Sequence, residues 1–445
     1  MFGDSTETEE TLKTDVIDEN PELTTFIEDS KSQTNILSRI FYKISHGYSF
    51  YTIMTILCYT LNCSSLLLPG CLKEMKIFIF LCFLLFVFIC SYYILFLLLD
   101  TIIKNTSYKS FNHLVYQGAG RSLSYFYHLI HLLYRMALIL FTIYLIVSFT
   151  SQMISSIFGI SDTEIATLSK KGIILLSSLV AIQLPLSFSQ IFQRPDIPVV
   201  ILIFLFILMI VFFFFTENIP DYFKTTFDPD FNFNRTNLIG YGFIMLAVCW
   251  NSELLKNFHD FKIKTKGRYT CVIYSVMILK FILSLVISVF GLSCFKKNKI
   301  NDYTYLSFDN KNFFIPKLII MGLVVLFLHV LIPYQLQHMR ESFICILKPK
   351  KNDLDYEFTT ALNCIFTIFS LILINGLSFL IKEVHLYLSI AGGLFSTTMN
   401  FLFPSIIYMH FNKKEKVKIA IAWIITIINI LFGISSIMVK AFIQN

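Results

Sequence analysis

The sequence predicts an all-α polytopic membrane protein with about eleven transmembrane helices, arranged as two inverted repeats of five plus one. Two observations give the class and a third gives the repeat. Hydrophobic residues make up 56% of the 445 residues and charged residues only 15%. Soluble domains carry roughly 45–50% apolar and about 25% charged residues, and an excess this large cannot be hidden in a globule whose surface must face water. Apolar runs of membrane-crossing length recur along the chain. The first and sixth of these runs are interrupted by polar residues, the spacing of repeats that each open with a discontinuous helix. A soluble enzyme, a disordered scaffold and a nucleic-acid binder are excluded.

Residues 1–31 hold ten of the 29 acids against Lys13 and Lys31 alone, with few apolar residues. A segment of this composition predicts a disordered acidic tail over 1–40, on the cytosolic side, ahead of a transmembrane domain over 41–445. It has neither the basic start nor the apolar core of a signal peptide. The apolar runs follow at 48–70, 77–103, 124–149, 172–191, 198–216, 237–256, 271–294, 315–337, 358–381, 385–409 and 417–440. Each is long enough to cross about 30 Å of hydrocarbon. Each must be helical, because lipid offers unpaired backbone groups no partner. The runs are continuous, not alternating, which excludes a barrel.

Lys and Arg give the orientation. With the N-terminus inside, inside segments carry 21 basic residues and outside segments 13, with Arg135 and Lys280 within spans. The expected arrangement is N-in and C-out, although Lys296, Lys297 and Lys299 then fall outside. Asn234-Arg-Thr236 is a glycosylation sequon on the outer side of this arrangement, and Asn105-Thr-Ser107 one on the inner side.

The first span contains Thr60-Leu-Asn-Cys-Ser-Ser-Leu-Leu-Leu-Pro69. Polar side chains and a proline at mid-membrane are costly unless they face protein, water or ligand. A kink packed on a neighbour and an unwound binding segment both fit them. The sixth span carries Gly240-Tyr-Gly242 and then Cys249-Trp-Asn-Ser-Glu253. Two breaks five spans apart point to a binding site, because half-helix ends and free backbone groups hold small charged ligands.

These segments resemble the amino acid/auxin permease family. Asn62-Cys-Ser64-Ser-Leu66-Leu-Leu68-Pro69 is similar to that family's opening motif, with Asn62 and Ser64 in place of its two glycines and Cys58 where it often has Asn. Ser107-Tyr108 with Gly118-Ala-Gly120-Arg121, and Gln183-Leu-Pro185-Leu-Ser187, resemble its third- and fourth-span stretches. Asn251 to Asp260 and Ala391-Gly-Gly393 through Phe403-Pro404 to Tyr408 resemble its sixth and tenth spans. The resemblance covers about 40–440 and implies a LeuT-like fold, secondary transport of neutral amino acids, symport with H⁺ or Na⁺, and no enzymatic activity. The implied cargo site comprises Asn62, Cys63, Ser64, Ser65 and Leu66 at the first break with Leu246, Ala247 and Asn251 at the sixth. The cargo's carboxylate would meet the first break and its ammonium the carbonyls of the sixth.

Cys58 and His329 are the candidates at the coupling-ion site. Cys is a poor ligand for a hard cation, whereas His titrates near neutral pH. H⁺ is therefore favoured over Na⁺. His329 is also readable as a core histidine bonded to a carbonyl. His128, His131 and Arg135 share a helix face and read as a polar network or a relay. Lys280 reads as a paired or snorkelling cation, and Asn375 and Asn400 as interhelical hydrogen-bonders. Most cysteines lie in apolar runs, without metal spacing. No metal, no cofactor and no nucleic-acid partner is expected, only an amino-acid cargo and the lipid bilayer. The plasma and vacuolar membranes both remain open. The alternative from another class is a polytopic chemosensory receptor or channel without a transport cycle.

Overall fold

A computed structural model describes residues 53, 57, 63–104, 111–158, 168–188, 235–248, 266–293, 314–347, 360–380 and 384–443. Among the described residues the chain is helical apart from a turn at 412–415. Eight helices are long and apolar enough to cross a membrane: 75–102, 120–158, 171–188, 270–289, 318–347, 361–380, 386–411 and 416–442. They correspond to spans two, three, four, seven, eight, nine, ten and eleven. The two shorter apolar helices, Cys63–Leu72 and Asn237–Val248, fall at the first and sixth spans, where interruptions were expected. The fifth span, at 198–216, the acidic tail, the sequon at Asn105, the acceptor Asn234 of the other and Lys296–Lys299 lie outside the described residues.

Two spans run past their expected ends. The third continues to Phe158 and the eighth to Leu347. In the eighth, Gln335, His338 and Ser342 end the apolar run in the sequence, but all three are buried. Arg135 and His131 of the third span bond to two of them, so the helix continues without facing lipid. Spans one and two are separated within Leu68–Lys104 by Lys76, whose φ is 58°. Gly120 has φ 77° and turns the chain from a helix beginning at Phe111 into the third span. Glycine accepts that conformation without steric cost.

Proline marks two wide helical turns. Leu179–Gln183 in span four and Thr398–Leu402 in span ten are π-helical. Leu184 donates to the Leu179 carbonyl and Phe403 to the Thr398 carbonyl, five residues back, and Pro185 and Pro404 follow. A proline supplies no N–H and its ring crowds the carbonyl four residues earlier, so the turn before it widens.

Span eleven shows how these helices sort their faces. Val417, Ile421, Ile424, Ile427, Leu431 and Ile434 are exposed along one stripe. Ala422, Thr426, Asn429, Gly433 and Ser436 are buried along the opposite one. Lipid tails are as apolar as Leu, so small and polar residues make the better helix interface. Thr426 donates to the Phe401 carbonyl at 3.3 Å. Tyr241 donates to Asn429 at 2.5 Å, and Ser436 donates to the Ile239 carbonyl at 3.3 Å. Spans six, ten and eleven meet backbone to backbone: a Cβ on Gly392 would strike the Gly242 carbonyl, and one on Gly433 the Gly393 carbonyl.

Candidate functional site

Cys63–Leu67 is a 3-10 helix, and α-helix follows from Leu68. Pro69 is thereby the second residue of that helix, where its missing N–H is no loss. The 3-10 segment is pinned on two sides. Ser64 Oγ donates to the Leu246 carbonyl at 3.0 Å, tying it to span six. Cys63 Sγ lies 3.6 Å from the Leu138 carbonyl of span three. Ser65 is buried and its hydroxyl has no hydrogen-bond partner. Leu66 is half-buried.

The other half of the site is the last described turn of the helix Arg235–Val248. Its last described carbonyls belong to Met245, Leu246, Ala247 and Val248, all fully buried. Three are met by side chains from three other spans. Ser396 of span ten donates to Met245 at 3.1 Å, and Ser64 of span one to Leu246. Lys280 Nζ of span seven donates to Val248 at 2.6 Å. Among the described residues no side chain donates to the Ala247 carbonyl. Among the described residues, side chains of three other spans thus donate to this turn, and none donates to the Ala247 carbonyl; beside it lies the 3-10 turn, whose Ser65 hydroxyl has no partner among the described residues.

Of the expected cargo-site residues, Cys63, Ser64, Ser65, Leu66, Leu246 and Ala247 are placed at these two segments, which the Ser64–Leu246 bond joins. Asn62, Asn251 and Cys58 lie outside the described residues.

A family model described as transmembrane amino acid transporter protein matches residues 47–443. The chain belongs to this family. No curated protein matches it. It is a multi-pass integral membrane transporter of amino acids and not an enzyme, and this membership replaces the receptor or channel alternative.

The transporter holds two further buried polar chains. In the first, the proton on His329 Nδ1 goes to the Val325 carbonyl at 2.8 Å, because a carbonyl can only accept. Nε2 then accepts from Ser178 at 3.0 Å. Ser178 Oγ accepts from Gln183 at 3.0 Å, and Gln183 Oε1 accepts from Asn375 at 2.9 Å. The chain joins spans eight, four and nine. Pro333 lies inside the same helix, four residues beyond His329. In the second chain, His131 Nδ1 and Ser342 lie 2.5 Å apart, and Ser342 donates to the His338 carbonyl at 3.1 Å. Arg135 donates to His131 Nε2 at 3.1 Å and to Gln335 at 2.7 Å. His128 Nδ1 is buried without a hydrogen-bond partner among the described residues. Asn375 bridges two spans as expected, and Asn400 donates to the Ser396 carbonyl, one turn back, at 2.7 Å.

Proposed function

We propose that this transporter is a secondary active carrier of LeuT-like architecture that moves a neutral amino acid together with H⁺ across the plasma or vacuolar membrane. The observation that supports the cargo site most strongly is the set of side-chain donors around the Met245–Val248 carbonyls, which among the described residues leaves Ala247 without one. We place the cargo's carboxylate at the 3-10 turn Cys63–Leu67. Ser65 supplies a buried hydroxyl beside both. Proton rather than Na⁺ coupling follows from Cys58 being a poor ligand for a hard cation and His329 being titratable.

Uptake of a labelled amino-acid panel by vesicles carrying the protein tests this reading. Neutral members should enter, uptake should rise as the outside pH falls, and replacing Na⁺ with choline should change nothing. Ser64→Leu should abolish uptake while the protein still reaches its membrane. Ser64→Ala, which loses one interhelical bond of about 0.6 kcal/mol, should keep most of it. Full uptake in Ser64→Leu places the cargo elsewhere, and uptake that needs Na⁺ removes the proton.

A further inference from the structure

Ser178, Gln183, His329 and Asn375 are buried where spans four, eight and nine meet, and two backbone carbonyls fix the direction of every hydrogen bond between them. At one end the Val325 carbonyl can only accept, so His329 Nδ1 carries the proton and Nε2 is left as a lone pair. At the other end Asn375 Nδ2 donates to the Leu371 carbonyl at 2.8 Å, so this amide cannot be turned over. The same nitrogen donates to Gln183 Oε1. That leaves Gln183 Nε2 to donate to Ser178 Oγ, and the Ser178 hydrogen to go to His329 Nε2. Asn375 Oδ1 is buried and has no hydrogen-bond partner among the described residues, so the amide serves by its donor alone. Ser178 and Gln183, five residues apart, would stand on different sides of a helix with 3.6 residues per turn. The π turn Leu179–Gln183 brings them together, and such turns are frequent at functional sites.

We propose that Asn375 is a positioning residue for the coupling proton: by holding the Gln183 amide turned towards Ser178, it keeps the His329 lone pair capped while spans four and nine are joined, and parting these spans opens it to the proton. The inference rests on the proposed function in taking His329 as the group that carries H⁺. A proton arriving from water at Nε2 makes that nitrogen a donor. Ser178 Oγ would then receive from both His329 and Gln183, with no acceptor along the chain for its own hydrogen. Turning the Gln183 amide over would supply Oε1 as that acceptor, but with Asn375 in place it sets Nε2 against Nδ2, donor against donor. Once Asn375 withdraws, the amide turns and the bonds run from His329 to Ser178 to Gln183, in the opposite sense. Titratable and charged groups on the spans packed against span eight include Tyr127, His128, His131, Tyr134, Arg135 and Tyr144 of span three, Lys171 of span four and Cys364 of span nine. None of them bonds His329, whose two nitrogens are taken by Val325 and Ser178.

The pH profile of uptake by vesicles carrying the full-length protein reads this. Asn375→Leu removes the donor and frees Gln183, so half-maximal uptake should move to higher pH by roughly half to one unit, the worth of one hydrogen bond. Asn375→Thr has a hydroxyl for the Leu371 carbonyl but is too short to hold Gln183, so it should move the profile the same way and serves if the Leu variant folds poorly. Gln183→Leu takes away the amide that turns, so adding Asn375→Leu to it should move the midpoint no further. Thermal unfolding in lipid nanodiscs gives a second reading without cargo. Wild type should be more stable than Asn375→Leu at high pH, and the gap should narrow as pH falls, because the variant takes up the proton more readily. With His329→Gln in both proteins the gap should not depend on pH. A midpoint unmoved in both Asn375 variants, an equal shift in the Gln183→Leu protein, or a gap constant with pH overturns the inference. Wild-type uptake that needs Na⁺ or ignores the outside pH overturns the proposed function instead, and leaves the unfolding comparison to decide the tie between Asn375 and His329.

Discussion

His329 is a neutral imidazole whose two nitrogens are both in use, and its neighbours decide whether it can still titrate. A second proton, on Nε2, would point at Ser178 Oγ. A hydroxyl can turn from donor to acceptor at the cost of one reoriented bond, and Gln183 continues to donate to the same oxygen. His131 differs. A second proton on its Nε2 would point at the guanidinium of Arg135, which has no lone pair to accept it. His329→Gln should therefore flatten the pH dependence of uptake more than it weakens cargo binding, whereas His131→Gln should leave the pH response in place. Uptake measured against outside pH in both variants checks this; an unchanged profile in His329→Gln passes the role to His128, whose Nδ1 has no hydrogen-bond partner. The sequence shows His329 as a titratable group deep in a span. It does not show Ser178, 151 residues away, as the partner that leaves room for a proton. That pairing depends on how spans four and eight pack, and local pattern carries no record of packing.

The elements are joined by small residues more than by bonds. A buried interhelical hydrogen bond contributes about 0.6 kcal/mol in a membrane, while forcing extra carbons into a packed interface costs roughly 1–3 kcal/mol or more. Where Gly433 faces Gly393, the atom that a new Cβ would meet is backbone, which cannot rotate aside. Gly433→Leu should therefore lower the unfolding temperature and the monodisperse yield far more than Ser436→Ala, which gives up only the bond to the Ile239 carbonyl. Equal losses would mean that the seam is held by its polar contacts. At this scale much is legible in advance. The 3-10 turn at Cys63–Leu67 sits where Asn62, Ser64, Ser65 and Pro69 interrupt an apolar run. The partner of Lys280 is not legible, because a lysine at mid-span announces a cost and not the carbonyl that offsets it. The full lengths of spans three and eight are hidden for a related reason: polar residues that face another helix end an apolar run in the sequence without ending the helix.

For the molecule as a whole, the spans must also be fastened at their ends, and the turn at 412–415 fastens two of them. Lys104, at the end of span two, bonds Asn412 and pairs with Glu415, each at 3.3 Å, and with Asp100 at 2.7 Å. Glu415 further pairs with Lys418 at 2.6 Å and accepts from Tyr408 at 2.7 Å. This turn and the first residues of the helix after it carry Lys413, Lys414, Lys416 and Lys418, a basic cluster of the side expected to be cytosolic. The ammonium of Lys418 first, then the Tyr408 hydroxyl and Lys104, hold the Glu415 carboxyl down to about 2 from an ordinary 4.5. A carboxyl depressed in the folded state contributes stability above its unfolded value and loses it as pH falls towards the folded one. The fastening should accordingly be intact down to about pH 4.5 and be lost progressively between there and about pH 2. Glu415 is close to water, so salt screens it: the Debye length shrinks from about 10 Å at 0.1 M to about 3 Å at 1 M. Glu415→Gln removes the titration and keeps the shape. The gap in unfolding temperature between wild type and Glu415→Gln should be constant from neutral pH to about 4.5, close as pH falls towards 2, and narrow in 1 M salt at neutral pH. Every other titrating group is common to the two proteins, so its effect cancels to first order in the difference. A gap that persists unchanged at pH 3, or that opens as the pH falls, would show that Glu415 is not the group that fastens these ends.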